Sequence, residues 1–212
     1  MRMFKLLVGA AMLAGASQAN AQATYTFTGA AGVQPGETLL ASFDGGVPTY
    51  GGITGTYLVQ SGSNTSGADP FVTPRGDPYL SVLGGQSASF SFAGLSSIGL
   101  DYGSADPYNT FILSFLTGSP QIVTGTMIVA SADGNQTAAR TNGRLTFTAT
   151  GTNYITGLTL RSSSNSLEAD NIGVISAVPE PGVWAMMLMG FGAIGAAMRR
   201  RRRNGAPSLL SA

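Results

Sequence analysis

Apolar and polar residues alternate along most of the middle of the chain. Ala88, Phe90 and Phe92 are separated by serines, Leu145, Phe147 and Ala149 by threonines, and Leu158 and Leu160 by Thr159. A period of two marks a strand with one buried face, and no comparable helical period runs through this region. Further strands are predicted over residues 24–28, 38–43, 54–60, 79–83, 97–102, 110–116, 121–130 and 167–176, separated by Gly, Pro, Asn and Asp clusters. About eleven short strands between Gln22 and Val178 predict an all-β domain, a two-sheet sandwich of the jelly-roll kind. Residues 61–68 and 132–142 read as its mobile loops.

The pattern changes at both ends. Arg2 and Lys5 precede an apolar stretch over residues 6–16 that is too short to span a membrane, and Ala19-Asn20-Ala21 follows as a small-residue cleavage site. Residues 1–21 therefore read as a signal peptide, cut by signal peptidase after Ala21 to leave Gln22 as the mature N-terminus. At the other end, residues 183–198 carry no charge, Trp184 stands at the outer edge of the run, and Arg199, Arg200, Arg201, Arg202 and Arg203 close it. Aromatics favour the membrane interface and arginines the cytoplasmic side. Sixteen residues make a helix of about 24 Å against a hydrocarbon core of about 30 Å, so this is a marginal transmembrane helix helped by snorkelling arginines. Pro179 and Pro181 flank Glu180 and predict an extended, exposed segment before it, with Glu180 a recognition residue. Residues 204–212 form a short cytoplasmic tail.

The ordered tail Pro179-Glu180-Pro181-Gly182-Val183-Trp184-Ala185, then an apolar helix, then five arginines, resembles a PEP-CTERM sorting signal of the PEPxxWA subtype. The resemblance implies that the helix parks an exported protein in the inner membrane of a Gram-negative bacterium and that an exosortase, a membrane protease, cuts near the Pro-Glu-Pro motif. It also implies a destination at the cell surface or in the extracellular matrix, in bacteria that commonly make exopolysaccharide. Gly103-Ser104-Ala105-Asp106-Pro107-Tyr108-Asn109, with Asp77-Pro78-Tyr79-Leu80-Ser81-Val82 before it, is similar to a loop shared by exosortase-dependent surface proteins. That likeness bears on fold and location alone.

Composition narrows the chemistry. The 212 residues include no His and no Cys. This removes the Ser-His-Asp and Cys-His nucleophile systems, thiolate zinc sites and disulfides. The exported segment 22–178 holds four basic and nine acidic residues, a net charge of −5, the wrong sign for a phosphate-backbone binder, so no nucleic-acid partner is expected.

Three polar constellations remain. In Leu167-Glu168-Ala169-Asp170-Asn171-Ile172, unbroken strand parity points Asp170 inward with Ile172; the functional reading is a Ca²⁺ site shared with Asp44, and the favoured alternative is backbone hydrogen bonding or a bulge at Asn171 that turns Asp170 to the other face. Tyr102 and Tyr108, beside Asp106 and Asn109, read either as a sugar-stacking platform or, preferably, as part of a satisfied loop in which Asp106-Pro107 starts a turn. Glu37, Asp44, Asp101, Asp106, Glu168 and Asp170 could be paired on paper as glycosidase acid and base, but most sit in turn contexts. The expected function is a non-enzymatic surface or matrix protein with a structural, adhesive or exopolysaccharide-associated role; the alternative is a lectin or carbohydrate-acting enzyme on the same fold.

Overall fold

The computed structural model describes residues 22–70, 76–177 and 181–203. The strands are β1 (Ala23–Thr28), β2 (Thr38–Ala41), β3 (Ile53–Thr56), β4 (Leu58–Gln60), β5 (Tyr79–Val82), β6 (Ser87–Gly103), β7 (Asn109–Phe115), β8 (Gln121–Thr124), β9 (Gly143–Ala149), β10 (Ile155–Ser162) and β11 (Leu167–Ser176). Two helices complete the order: α1 (Gly125–Ile128) between β8 and β9, and α2 (Pro181–Arg203) after β11. All strand pairings are antiparallel.

The strands form one hydrogen-bonded network centred on β6. Its first half, over residues 87–91, pairs with β3 and β10; its second half, over residues 95–103, pairs with β9 and β11. Gly94, at φ +154°, separates the halves. This joins into one strand what the sequence pattern reads as two. The core-facing residues keep the period of two throughout: Ala88, Phe90, Ile98, Leu100 and Tyr102 on β6 meet Leu145 and Phe147 on β9, Leu158 and Leu160 on β10, and Phe111 and Leu113 on β7, all buried. Tyr102 packs edge-on to Phe111 at 5.0 Å between ring centroids.

Two other predicted strands are broken. Residues 53–60 form β3 and β4 with a gap at Tyr57, and the strand predicted over 121–130 stops at Thr124. At the second break the backbone runs against the Asp106 carbonyl, where a Cβ at Gly125 would lie 2.0 Å from the oxygen, so only glycine fits.

Strand register orients the domain. Ala23 faces Ala149, and the neighbouring Thr148 faces Ser97, while Ser176 faces Leu95. Both ends of the β domain therefore emerge together. Glu168 faces Gly103 at the opposite end, eight residues up β11 and about 26 Å away at the rise of a strand. Gln22, the first described residue, is fixed at the lower end, where its carbonyl accepts from the Thr150 amide at 2.8 Å and its side-chain amide donates to the Ser119 carbonyl at 2.5 Å. The signal peptide assigned to residues 1–21, including Ala19 and Ala21, lies outside the described residues.

Pro181 begins α2 instead of continuing an extended segment. Proline suits a first helical position because its missing N–H has no intrahelical partner to lose. Pro179 and Glu180 lie outside the described residues; Trp184 and Ala185 fall in the first turns of α2, and Arg199 to Arg203 end it. Met186, Leu188, Met189, Phe191, Ile194 and Met198 are all exposed. Even so, no helix among the described residues is long and apolar enough to cross a membrane. The predicted sorting helix is present as a helix, with its five arginines gathered at the C-terminal end of its 23 residues.

Candidate functional site

The loop from β6 to β7 builds a polar cavity at the end of the domain away from its termini. Gly103 closes β6, and Ser104 follows at φ +41°, an uncommon conformation for a non-glycine residue. It is held there from two sides: the Ser104 amide donates to Asn142 Oδ1 at 2.9 Å, and its hydroxyl to Glu168 Oε2 at 2.6 Å. The Asp106-Pro107 turn forms as the sequence predicts, with the Asn109 amide donating to the Asp106 carbonyl at 3.2 Å. Asn109 is fully buried and links three segments. Its Oδ1 accepts from the Tyr102 hydroxyl at 2.8 Å and the Asp106 amide at 3.0 Å, and its Nδ2 donates to the Ser166 carbonyl at 3.0 Å.

This arrangement decides the fate of the two tyrosines. The Tyr102 ring is fully buried in the core, so it has no face to offer a sugar, a correction to its assignment as a glycan contact. Tyr108 does line the cavity, with its hydroxyl donating to the Asn165 carbonyl at 2.8 Å and standing beside the Asp106 carboxylate.

The cavity has a volume of about 190 Å³. Residues 64–67, 104–108, 134–136 and 165–168 contribute its walls, and every lining side chain is polar or a glycine, with no Lys or Arg among them. Glu168 forms the floor. It is buried, Oε1 accepts from the Ala68 amide at 3.3 Å and from the Ser166 hydroxyl, and Oε2 takes the Ser104 hydroxyl. Burial raises its pKa, opposed by the Ser104, Ser166 and Ala68 hydrogen bonds. Asp106 is likewise raised, first by burial, with the Tyr108 hydrogen bond pulling it down and the charge of Asp133 pushing it up. Gly134 lets the wall approach, since a Cβ there would lie 2.6 Å from either Asp106 carboxylate oxygen. The two stretches read as mobile loops thus supply walls and are tied down: Thr141 donates to the Asn135 carbonyl at 2.5 Å, and Ser66 N to Asn64 Oδ1 at 2.7 Å.

A second polar cluster lies on the outer face of the sheet made by β9, β6 and β11. Arg144 is 1% exposed and donates to Glu37 Oε2 at 2.5 Å, to Asp101 Oδ1 at 3.3 Å and to the Asn171 carbonyl at 2.6 Å. Asp101 also accepts from the Gly32 amide and Asn171 Nδ2; burial raises its pKa despite these partners. Asn171 is the bulge anticipated in the sequence, at φ +46°, and β11 slips register there against β6. Asp170 accordingly faces Asp101 and not the core side of Ile172, and its Oδ2 accepts from Asn171 Nδ2 at 3.1 Å. β2 does pair with β11, yet Asp44 is exposed in the turn closed by Gly46 N and the Phe43 carbonyl. Among the described residues no group of three or more His, Cys, Asp or Glu side chains could hold a metal ion.

The described part of the tail adds the decisive feature: an apolar helix ending in arginines, starting four residues after the last domain residue, Ala177, whose amide still donates to the Gly94 carbonyl. Residues 177–203 match the PEP-CTERM protein-sorting motif. The PEP-CTERM motif indicates exosortase-dependent export, and it supports delivery to the cell surface. No curated protein matches the chain. Among solved structures, the chain is similar to CsCBM6-3 from Clostridium stercorarium, solved in complex with cellobiose, at 14% identity over 58% of this chain and 87% of that one, with a TM-score of 0.32. It is also similar to the Agl-KA catalytic domain, at 14% identity over 73% of this chain and 30% of that one, with a TM-score of 0.34. Likenesses at these scores carry no argument about architecture or activity.

The sequence reading weighs Glu168, Glu37 and Asp101 only as unpaired carboxylates; the cavity walls at residues 64–67, 134–136 and 165–166, and Arg144 as the centre of a network, are absent from it. For Arg144 one signal was available: it shares parity with Thr146 and Thr148, so a charge precedes two hydroxyls on the face away from the core.

Proposed function

We propose that this is a non-enzymatic surface or matrix protein, exported through its signal peptide, tethered by α2 at the inner membrane, cut by an exosortase near Pro179 to Pro181, and serving a structural, adhesive or exopolysaccharide-associated role. The observation that carries this reading is the PEP-CTERM motif at residues 177–203, directly after β11. The two arms of β6 act as corner strands of a jelly-roll-like sandwich. With both domain ends on one side, the tethered intermediate holds its cavity end away from the bilayer. The arginines keep the helix end on the cytoplasmic side and compensate a short apolar run by snorkelling.

A hydrolase reading has less support. Both Glu168 oxygens already accept hydrogen bonds from the protein, and a general acid or base needs a lone pair or proton to present to substrate. Fractionation of cells with and without an active exosortase tests the sorting reading. The protein should move from the inner membrane to the surface or medium fraction only when the protease is present; an unchanged distribution contradicts it.

A further inference from the structure

We propose that the cavity behind the β6–β7 loop binds one neutral, hydroxyl-rich ring, a terminal sugar residue, with Asp106 and Gln136 as its hydrogen-bonding walls. This deepens the surface-protein reading by naming a ligand class for the outward end of the domain.

The lining excludes the other chemistries in turn. Asp106 and Glu168 line the cavity with no Lys or Arg in the lining to offset them, so anions are repelled. No apolar side chain offers a surface for lipid or aliphatic ligands. A hard divalent cation wants six to eight oxygen ligands, and the oxygens here are largely taken: Glu168 by Ser104, Ser166 and Ala68, Asn64 Oδ1 by the Ser66 amide, and Asn165 Oδ1 by the Gly84 amide at 2.9 Å. Glu168 spends three of about four acceptor sites on the protein, which leaves Asp106 as the carboxylate with more lone pairs to offer.

A sugar hydroxyl donates one hydrogen bond and accepts others at the same oxygen. Asp106 supplies a charged acceptor on one wall. Gln136, exposed and without a hydrogen bond to another described residue, supplies donor and acceptor elsewhere in the lining. A ring that carries several hydroxyls offers partners to both. The volume of about 190 Å³ is below the roughly 300 Å³ at which sites for drug-sized ligands begin, so the cavity admits one ring and not a chain.

The test is calorimetric and NMR titration of the purified full chain with glucose, galactose, mannose and rhamnose, and separately with calcium chloride. At least one sugar should bind saturably, and Asp106→Asn and Gln136→Ala should each weaken it about tenfold or more, the loss expected for a hydrogen bond to a charged or buried polar group, without lowering the melting temperature. No saturable binding of any of the four at tens of millimolar overturns the proposal, as does calcium binding that Asp106→Asn abolishes. Titration of the folded chain is independent of where the cell delivers it, so failure here leaves the sorting reading to stand or fall on fractionation.

Discussion

Gly99 on β6 lies directly opposite Gly173 on β11, and the space left by their two missing side chains is where Arg144 and Glu37 meet. A Cβ built at Gly99 falls 2.4 Å from Glu37 Oε1, and one at Gly173 falls 2.7 Å from Glu37 Oε2; both come within 2.8 Å of Arg144 Nη2. The glycine pair is a floor for a buried ion pair. Residues 29–37 fold over the sheet at this point, with the Gln34 amide donating to Glu37 Oε2 at 2.8 Å and the Gly32 amide to Asp101.

Gly99→Ala or Gly173→Ala should therefore displace the guanidinium from its carboxylate, leaving buried charge uncompensated at a cost of about 3 kcal/mol. Urea denaturation of each variant measures this. Glu37→Gln, which keeps the shape and removes one charge, should also destabilise; wild-type stability in all three would mean that the ion pair contributes nothing to holding residues 29–37 on the sheet.

Asn109→Ala removes the acceptor of Tyr102 and Asp106 and the donor to Ser166 in one change. Each stranded buried group costs about 1–3 kcal/mol, and partial relaxation around the site makes about 2–4 kcal/mol the expected total loss. A change below about 0.5 kcal/mol, the range of an ordinary surface substitution, would contradict the role assigned to it.

Asp101, Asp106 and Glu168 all have pKa values raised above the ordinary 3.8, 3.8 and 4.5, each chiefly by burial. A carboxyl raised in the folded state keeps a proton that the unfolded chain has released, so its contribution to stability is full below the ordinary value and is lost as pH rises through the folded one. Asp133, exposed and lowered by its bond to Arg140, opposes this weakly. These three groups should thus make the melting temperature fall as pH rises from about 4 towards neutrality, the reverse of common acid denaturation. A lower value at the acidic end would mean that the three carboxylates stay ionised in the fold.

On the sorting side, Glu180→Ala, or neutral residues in place of Arg199 to Arg203, should leave uncut protein in the inner membrane fraction. Normal release of both variants would sink the exosortase account.

The strands were legible because their inward residues keep one period: Leu145 and Phe147, Leu158 and Leu160, and Ala88 and Phe90 are buried where alternation put them. The Asp106-Pro107 turn and the Asn171 bulge were legible because Asp before Pro and Asn at φ > 0 carry local conformational preferences. What stayed hidden depends on contacts distant in the chain. Nothing near Gly125 announces that the Asp106 carbonyl will stand against it, and nothing in the aperiodic stretches 29–37 and 64–70 says that they cover a sheet face. For Tyr102 the preferred reading, a satisfied loop, is the one the structure shows: its parity is that of Leu100 and its hydroxyl is satisfied internally by Asn109.

The intact mass of the protein recovered from the cell surface or culture medium tests the central claim most directly. A chain that begins at Gln22 and ends near Pro179 to Pro181, with or without an adduct at its new C-terminus, is the predicted result. A chain that still carries Arg199 to Arg203 would contradict it, because the tail would then be an ordinary anchor and not a signal that is removed.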